Sequence, residues 1–110
     1  MEAKRSPIVT EYMRLRCLGG QTKNILDLMS PNAVLVDKDG KEHKGQKELT
    51  VYFDTPGHGT ASYGVPVSVP GDRFKIDLYV KIEFITLTYK VYFSFGDVDN
   101  LIYRVEVKKE

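Results

Sequence analysis

The sequence predicts a single α+β domain. Apolar residues recur with a helical period of three to four in the first half of the chain, and with a period of two in the second half. Helices that precede long strands are typical of folds in which helices cover one face of an antiparallel sheet. The 110 residues are enough for one core and too few for two, so residues 1–110 are treated as one domain.

Two helical segments are predicted before the first strand. The first begins at Ser6-Pro7, because a capping hydroxyl followed by proline is common at a helix start, and it ends at Gly19-Gly20. Tyr12 is one of the apolar positions that share its inward face. The second segment covers residues 21–29 and ends before Pro31, because proline disfavours a helical conformation in the residue that precedes it.

A short hairpin and a third helix are predicted next. The strand 33–36 stops at Asp37, and the turn Lys38-Asp39-Gly40 reverses the chain into the strand 41–44, since Asp-Gly readily adopts the φ angles of a tight hairpin. From residue 46 the apolar positions return to helical spacing, ending in the aromatic residue Phe53. Asp37 is therefore expected at the mouth of the space that the hairpin and the third helix cover.

The second half predicts a strongly curved antiparallel sheet. Residues 63–69 read as a strand that Pro66 interrupts, which favours an edge or bulged position. Residues 74–84, 86–95 and 101–108 alternate apolar and polar side chains, and these strands exceed the usual length of five or six residues. Three N-terminal helices and a hairpin packed on such a sheet make a cone. A ligand would bind in its interior, which side chains need not fill.

Charge and composition exclude several classes of partner. Sixteen basic and fifteen acidic residues leave no excess charge to favour nucleic acid or an anionic membrane. No apolar run approaches the roughly 20 residues of a membrane span, and the N-terminus lacks a signal-peptide core, so we expect a cytoplasmic protein. Cys17, the single cysteine, cannot form an intrachain disulfide and is expected to be a small buried side chain. Lys4-Arg5 and Lys108-Lys109 are expected to be solvated ends.

Three segments carry a family resemblance. They are IVTEYMRLRCLGG, LDLMSPNAVLVDKDGKEHKGQKELTVYF and KVYFSFGDVDNLIYRVEV, within the range from Ile8 to Val107. The middle one has an aspartate after a short strand, a glycine turn, a second strand, Lys-Gly and a helix that ends in aromatic residues. This order resembles the nuclear transport factor 2-like superfamily, which includes ketosteroid isomerase, scytalone dehydratase and polyketide-cyclase-like proteins. The resemblance implies the cystatin-like cone more than any one activity, because the fold hosts enzymes, binders and dimerisation modules.

The resemblance also implies a catalytic pair. Asp37 falls where ketosteroid isomerase has its general base, and Tyr12 falls where it has the tyrosine that donates to the enolate oxygen. The position of its protonated acid is Val91, which cannot donate, and losing one such donor typically costs about 2.7 to 4 kcal/mol. Scytalone dehydratase needs paired inward histidines, whereas His43 and His58 lie on a hairpin and a loop. If the protein is an enzyme, we expect proton transfer leading to isomerisation, dehydration or cyclisation.

The residues themselves leave structural alternatives open. Asp37 either is a base whose pKa apolar neighbours raise, or caps its own hairpin turn. Tyr12 either donates to a ligand oxygen or is a core tyrosine. Eight further residues are predicted to line the ligand site: Phe53, His58, Tyr63, Phe84, Tyr89, Val91, Phe93 and Arg104. Core packing accounts for the aromatic residues equally well, and exposure to solvent accounts for the histidine and the arginine.

No metal and no organic cofactor are expected. Two histidines and Asp37 do not have metal-ligand spacing, and proton transfer by a carboxylate requires no cofactor. In this superfamily the outer sheet face often pairs two subunits, so homodimerisation is expected through Tyr79, Thr86, Thr88, Lys90 and Tyr92. The predicted function is the binding of a small apolar molecule, with or without catalysis. The alternative is a non-catalytic module that forms homodimers or binds another protein.

Overall fold

A computed structural model of the chain describes residues 2–55, 57, 59–96 and 99–110, with side chains from residue 5 onward. Two helices, α1 (Glu2–Leu18) and α2 (Thr22–Leu26), precede the hairpin β1 (Met29–Val36) and β2 (Glu42–Lys44), and α3 (Gly45–Asp54) follows it. The remaining strands are β3 (Thr60–Tyr63), β4 (Val67–Val69), β5 (Arg73–Ile82), β6 (Ile85–Phe95) and β7 (Ile102–Lys109). The predicted α+β class is confirmed. The helices match the prediction only in part: α3 follows the hairpin as predicted, but α2 has five residues and ends at Leu26 rather than residue 29.

All these strands belong to one sheet. Its order is β2-β1-β7-β6-β5-β3, and β4 pairs with β5 beside β3. The neighbouring pairs are antiparallel with one exception among the described strands, the parallel pair of β1 and β7. The prediction of a purely antiparallel sheet is therefore wrong at this pair. Most of the chain separates β1 from β7, so no hairpin turn constrains their relative direction.

The core lies between the helices and the inner face of the sheet. Helix α1 contributes Val9, Tyr12 and Met13, all nearly or fully buried, and β6 contributes Val91 and Phe93. Successive side chains of a strand point to opposite faces, so the alternating residues of β5 and β6 place one apolar row against the helices. This arrangement covers the inner sheet face at one end and leaves it open near the end of α1, where the cavity described below begins.

Helix α1 begins earlier than the capping pattern predicts. It starts at Glu2 and contains Pro7, although the sequence favoured a start at Ser6. Arg5 accounts for part of this extension. Its side chain is 11% exposed and donates to the backbone oxygen of Gly96 and to Asn100 Oδ1, which holds the first turn against the end of the sheet. The expectation that Arg5 belongs to a solvated end is therefore wrong.

The segment before the hairpin is extended rather than helical. Met29 pairs with Ile102 of β7, so β1 starts where the sequence predicted the end of the second helix. The register then shifts before the next pair, Val34 with Arg104. Pro31 lies inside this irregular stretch, where the ladder does not require the N–H that proline lacks. Residues 29–32 therefore belong to β1, which begins earlier than the predicted strand 33–36.

The strands after α3 differ from prediction at three points. The interrupted strand 63–69 is two strands, β3 and β4, which both pair with β5. Strand β5 ends at Ile82 rather than residue 84, because Glu83 takes a φ of 55° and turns the chain into β6. A register shift between Ser94 and Phe95 buries Ile102 and exposes Tyr103, although strict alternation along residues 101–108 would place Tyr103 on the same face as the buried Val105.

The outer sheet face carries the residues expected at a subunit interface. Tyr79 is 38% exposed and pairs across strands with Thr88, while Lys90 lies between Asp77 and Lys108. Association of two copies through this face stays a prediction. No helix in the described part of the chain is both long and apolar enough to cross a membrane.

Candidate functional site

A cavity of about 770 Å³ opens between α1, α3 and the inner face of the sheet. Its apolar wall consists of residues from β5, β6 and β7: Leu78, Val80, Ile82, Leu87, Tyr89, Val91 and Val107. Polar groups border it at the end of α1, at the turn after β1 and along α3. Small-molecule sites typically have volumes of about 300 to 1,000 Å³ and a mostly apolar lining with few polar groups. The cavity has the size and lining of such a site.

Tyr12 forms part of the helical wall of the cavity. It is 3% exposed, and its ring packs edge-to-face on Phe53 and Phe93, with centroids 6.0 and 5.1 Å away. Burial raises the pKa of Tyr12 well above its usual range, against the opposing effect of nearby Arg16, so the hydroxyl stays protonated. No hydrogen bond to this hydroxyl is found among the described residues. Tyr12 therefore offers a donor to whatever occupies the cavity.

Asp37 lies at the rim of the same cavity, at the end of β1. Its side chain is 16% exposed, and Oδ1 accepts hydrogen bonds from the backbone N–H groups of Asp39 at 2.9 Å and Lys41 at 3.0 Å. The other oxygen, Oδ2, lies 2.9 Å from His43 Nε2. Asp37 therefore caps its hairpin turn and also borders the cavity, so both interpretations of its position hold together.

The electrostatics of Asp37 differ from the expectation for a tuned base. Burial by itself raises the pKa of this carboxyl group, but the hydrogen bonds from His43, Lys41 and Asp39 outweigh it. The net effect lowers the pKa of Asp37 below its ordinary value of 3.8. The expectation of a raised pKa is therefore wrong. The carboxylate is ionised at neutral pH, and its hydrogen bonds make it a weaker proton acceptor.

We expect the stability lost in Asp37→Asn to depend on pH in the acid range. A carboxyl group whose pKa is lowered by folding stabilises the folded state above its unfolded pKa, and this stabilisation is lost as the pH falls through the folded pKa. Since the pKa of Asp37 falls below 3.8, the difference in unfolding free energy between parent and variant should shrink from pH 5.5 to pH 3. Urea unfolding of parent and variant at pH 5.5 and pH 3 measures this difference. A difference that stays constant with pH would contradict the explanation that hydrogen bonds to the carboxylate lower the pKa of Asp37.

Three residues that the sequence did not assign to the site gather beside Asp37. His43 is 15% exposed, with its ring centroid 4.7 Å from that of Tyr52. The Arg16 guanidinium lies 5.2 Å from the ring centroids of both Tyr52 and Phe53. Burial raises the pKa of Tyr52, opposed by Arg16 and assisted by the Asp37 carboxylate. Asp37, His43, Tyr52 and Arg16 thus form one polar cluster at the rim.

Two patterns in the sequence could have identified this cluster. The pairing of Leu35 with His43 places that histidine on the inner face of the hairpin, and the predicted turn already implies this register. Arg16 follows Tyr12 by four residues, so both lie on one face of α1.

The structure places only some of the predicted ligand residues at the cavity. Phe53, Tyr89 and Val91 line the cavity. Tyr63 packs partly buried against the core, and Phe93 is fully buried behind Tyr12, so neither borders the cavity. His58 lies outside the described residues.

Two predicted ligand residues lie away from the cavity. Phe84 is 99% exposed, because the turn at Glu83 takes it out of the apolar row of β5. Arg104 pairs across strands with Ser94 on the outer face and bonds to Glu106 at 3.2 Å. Neither can line this cavity. Cys17 also differs from expectation, since it is exposed at the cavity rim rather than buried. The described residues contain no group of three or more His, Cys, Asp or Glu placed to hold a metal ion.

Comparisons with known proteins identify the fold. No protein-family model and no curated protein matches the sequence. A steroid delta-isomerase from Pseudomonas aeruginosa superposes with a TM-score of 0.80 at 18% identity, covering 100% of this chain and 82% of that one. A nuclear transport factor 2-like protein of unknown function from Burkholderia xenovorans LB400 gives 0.79 at 11% identity, covering 99% and 84%.

A de novo designed protein with a curved β-sheet also matches, with a TM-score of 0.75 at 15% identity, covering 100% of this chain and 88% of that one. At such low sequence identities, structural similarity shows a shared architecture but not a shared activity, because one fold hosts many functions. The resemblance seen in the sequence is confirmed at this level. The chain has the nuclear transport factor 2-like fold, with helices packed on a curved sheet that includes the hairpin β1–β2.

Proposed function

We propose that this protein binds a small, mostly apolar molecule that carries a carbonyl or hydroxyl oxygen, in the cavity between the helices and the sheet. The observation that carries the proposal is Tyr12, a buried phenol at the cavity wall without a hydrogen-bond partner among the described residues. Because Tyr12 lines the cavity, its hydroxyl can donate a hydrogen bond to a ligand oxygen there. Tyr89, Val91 and Leu78 would cover the apolar surface of the ligand. The likeness to a steroid delta-isomerase favours the same class of ligand.

Tyr12→Phe is expected to weaken binding of a ketone ligand by about three- to tenfold, the equivalent of one hydrogen bond of about 0.5 to 1.5 kcal/mol. A steroid ketone and the hydrocarbon that lacks its oxygen form a suitable pair of probes, and fluorescence titration measures both. The variant should lose affinity for the ketone alone, because the phenyl ring remains to pack against the apolar body.

Tyr79→Phe is the matched control for this titration, since Tyr79 lies on the outer sheet face. It should bind both probes as the parent does. Equal ketone affinity in parent and Tyr12→Phe would overturn the role of Tyr12. If steroids, aromatic polyketides and terpenoids all fail to bind the parent protein, the proposed function itself is wrong.

Cofactor-free proton transfer is a second candidate function, favoured by the position of Asp37 at the rim of the same cavity. Asp37 would remove a proton next to the carbonyl while Tyr12 donates to the oxygen. The hydrogen bonds that lower the pKa of Asp37 act against this role, because they stabilise the carboxylate over the acid. Deuterium uptake next to the carbonyl of a bound ketone, present in the parent and lost in Asp37→Asn, would support catalysis. No uptake above background would leave binding alone.

A further inference from the structure

We propose that a second cleft, which adjoins the cavity at Arg16 and Tyr52, binds a small molecule through a carboxylate or phosphate group. The cleft has a volume of about 740 Å³ and lies where the end of α1, the hairpin and α3 meet. Its charged and polar lining includes Arg16, Lys41, His43, Lys47, Glu48 and Tyr52. The cleft shares Arg16, Tyr52, Thr55 and Gly57 with the proposed ligand cavity. It differs from the cavity in Lys41, His43, Lys47, Glu48 and Val51.

Positive charge prevails in this cleft. Within the described part of the chain, the charged side-chain groups of Arg16, Lys41 and Lys47 form no ion pair with a carboxylate within 4.0 Å. Glu48 is the one acid on the described lining, and its Oε1 already accepts a hydrogen bond from the backbone N–H of Lys44 at 2.8 Å. Three cations that share a concave surface without matching acids attract an anion and can donate charge-assisted hydrogen bonds to its oxygens.

Two of the polar groups are held in place before any ligand arrives. The Arg16 guanidinium lies against the rings of Tyr52 and Phe53, each centroid 5.2 Å away, and this contact restricts its side chain. Such a planar guanidinium can present two parallel N–H groups to one carboxylate or phosphate. His43 is fixed by Asp37 at 2.9 Å and lies beside Tyr52. Asp37 therefore has a positioning role at this cleft, which its three hydrogen bonds suit better than proton abstraction.

The apolar part of the lining indicates what the anionic group is attached to. Val51 and the ring of Tyr52 belong to the same cleft, and Val51 is 65% exposed there. An aryl group could cover this surface while its acid group lies against Arg16 and the two lysines. We therefore expect aryl carboxylates or aryl phosphates to bind more tightly than the bare ions.

The test is a titration of the full chain, followed by ¹⁵N-¹H NMR, with benzoate, phenyl phosphate, inorganic phosphate and neutral benzamide. The expected result is saturable shifts of the amides of Arg16, His43 and Lys47 with an aryl anion, and none with benzamide. Whichever of benzoate and phenyl phosphate binds more tightly identifies the oxyanion. Shifts with benzamide equal to those with benzoate would overturn the proposal, because they would show that charge plays no part.

Variants separate this cleft from the first cavity. The double variant Lys41→Gln, Lys47→Gln removes two exposed cations that line the cleft and not the cavity, and it should weaken anion binding at least tenfold. Arg16→Gln should weaken it as much, whereas Arg14→Gln, whose arginine bonds to Glu11 on the exposed side of α1, should not. Unchanged affinity in both the double variant and Arg16→Gln would overturn the proposal.

The two proposals can fail separately. Tyr12→Phe changes the cavity and should leave anion affinity unchanged, while the double lysine variant should leave ketone affinity unchanged. Anion binding that disappears in Tyr12→Phe would mean that the anion occupies the first cavity, and this would overturn the second site. Loss of ketone binding alone would refute only the proposed function.

Discussion

Phe93→Ala is expected to lower the free energy of unfolding by about 3 to 5 kcal/mol. Phe93 is fully buried, its ring contacts Tyr12 at a centroid distance of 5.1 Å, and it pairs across strands with Phe74 and Val105. Truncation removes the transfer free energy of the ring. It also leaves a void between a paired strand and α1, and neither element can close that void without breaking its own hydrogen bonds. Urea unfolding followed by circular dichroism measures the loss.

Phe84→Ala is the matched control for this prediction, because it removes the same ring from the other end of the same pair of strands. Phe84 is 99% exposed, so its removal from the folded protein leaves no cavity. The urea midpoint of this variant should stay close to that of the parent. If Phe84→Ala were as destabilising as Phe93→Ala, the difference in burial would not explain the result.

Arg5→Ala is expected to cost about 2 to 3 kcal/mol. Its Nε donates to Asn100 Oδ1 at 3.1 Å, its Nη2 donates to the Gly96 oxygen at 3.2 Å, and its guanidinium lies 5.5 Å from the Phe95 ring centroid. Truncation leaves these acceptors without their donor and loses the packing of the side-chain stem. The ion pair with Asp72 at 3.7 Å contributes little, because Asp72 is 83% exposed.

Arg14→Ala tests whether burial or hydrogen-bond length determines the loss of unfolding free energy. Arg14 lies on the same helix and makes two hydrogen bonds to Glu11, each 2.8 Å long and therefore shorter than those of Arg5. Both partners are exposed, so water replaces these bonds when they break, and the urea midpoint should hardly change. Arg5→Met should lose less stability than Arg5→Ala, because it keeps an apolar stem. Equal losses in Arg5→Ala and Arg14→Ala would refute the explanation from burial.

The elements that could be predicted are those whose signal is local. The alternation of residues 86–95 follows from the geometry of one strand, and it gives the inner face of β6 that Tyr89, Val91 and Phe93 share. The helical spacing up to Leu18 places Tyr12 inward, and the Asp-Gly turn places Asp37 at the end of a strand. Each of these patterns is fixed by neighbouring residues, so the sequence alone suffices.

The errors share a different cause, which is contact between distant parts of the chain. Arg5 is buried because residues 96 and 100 accept its hydrogen bonds, and no local pattern near residue 5 contains that information. The face of Tyr103 depends on a register shift in the pairing of β6 with β7. Phe84 is the exception, because a local turn that begins one residue before it, at Glu83, takes it out of the apolar row of β5.

Periodicity and turn chemistry act over a few residues, so they suffice to predict the α+β class, the inward face of α1 and the position of Asp37 at the end of a strand. Tertiary packing brings His43 to Asp37, so the pKa of this carboxyl group falls instead of rising. Packing also places Arg16 over Tyr52. A pKa and a binding surface depend on which groups come within a few ångströms of one another, and no pattern of neighbouring residues sets those distances.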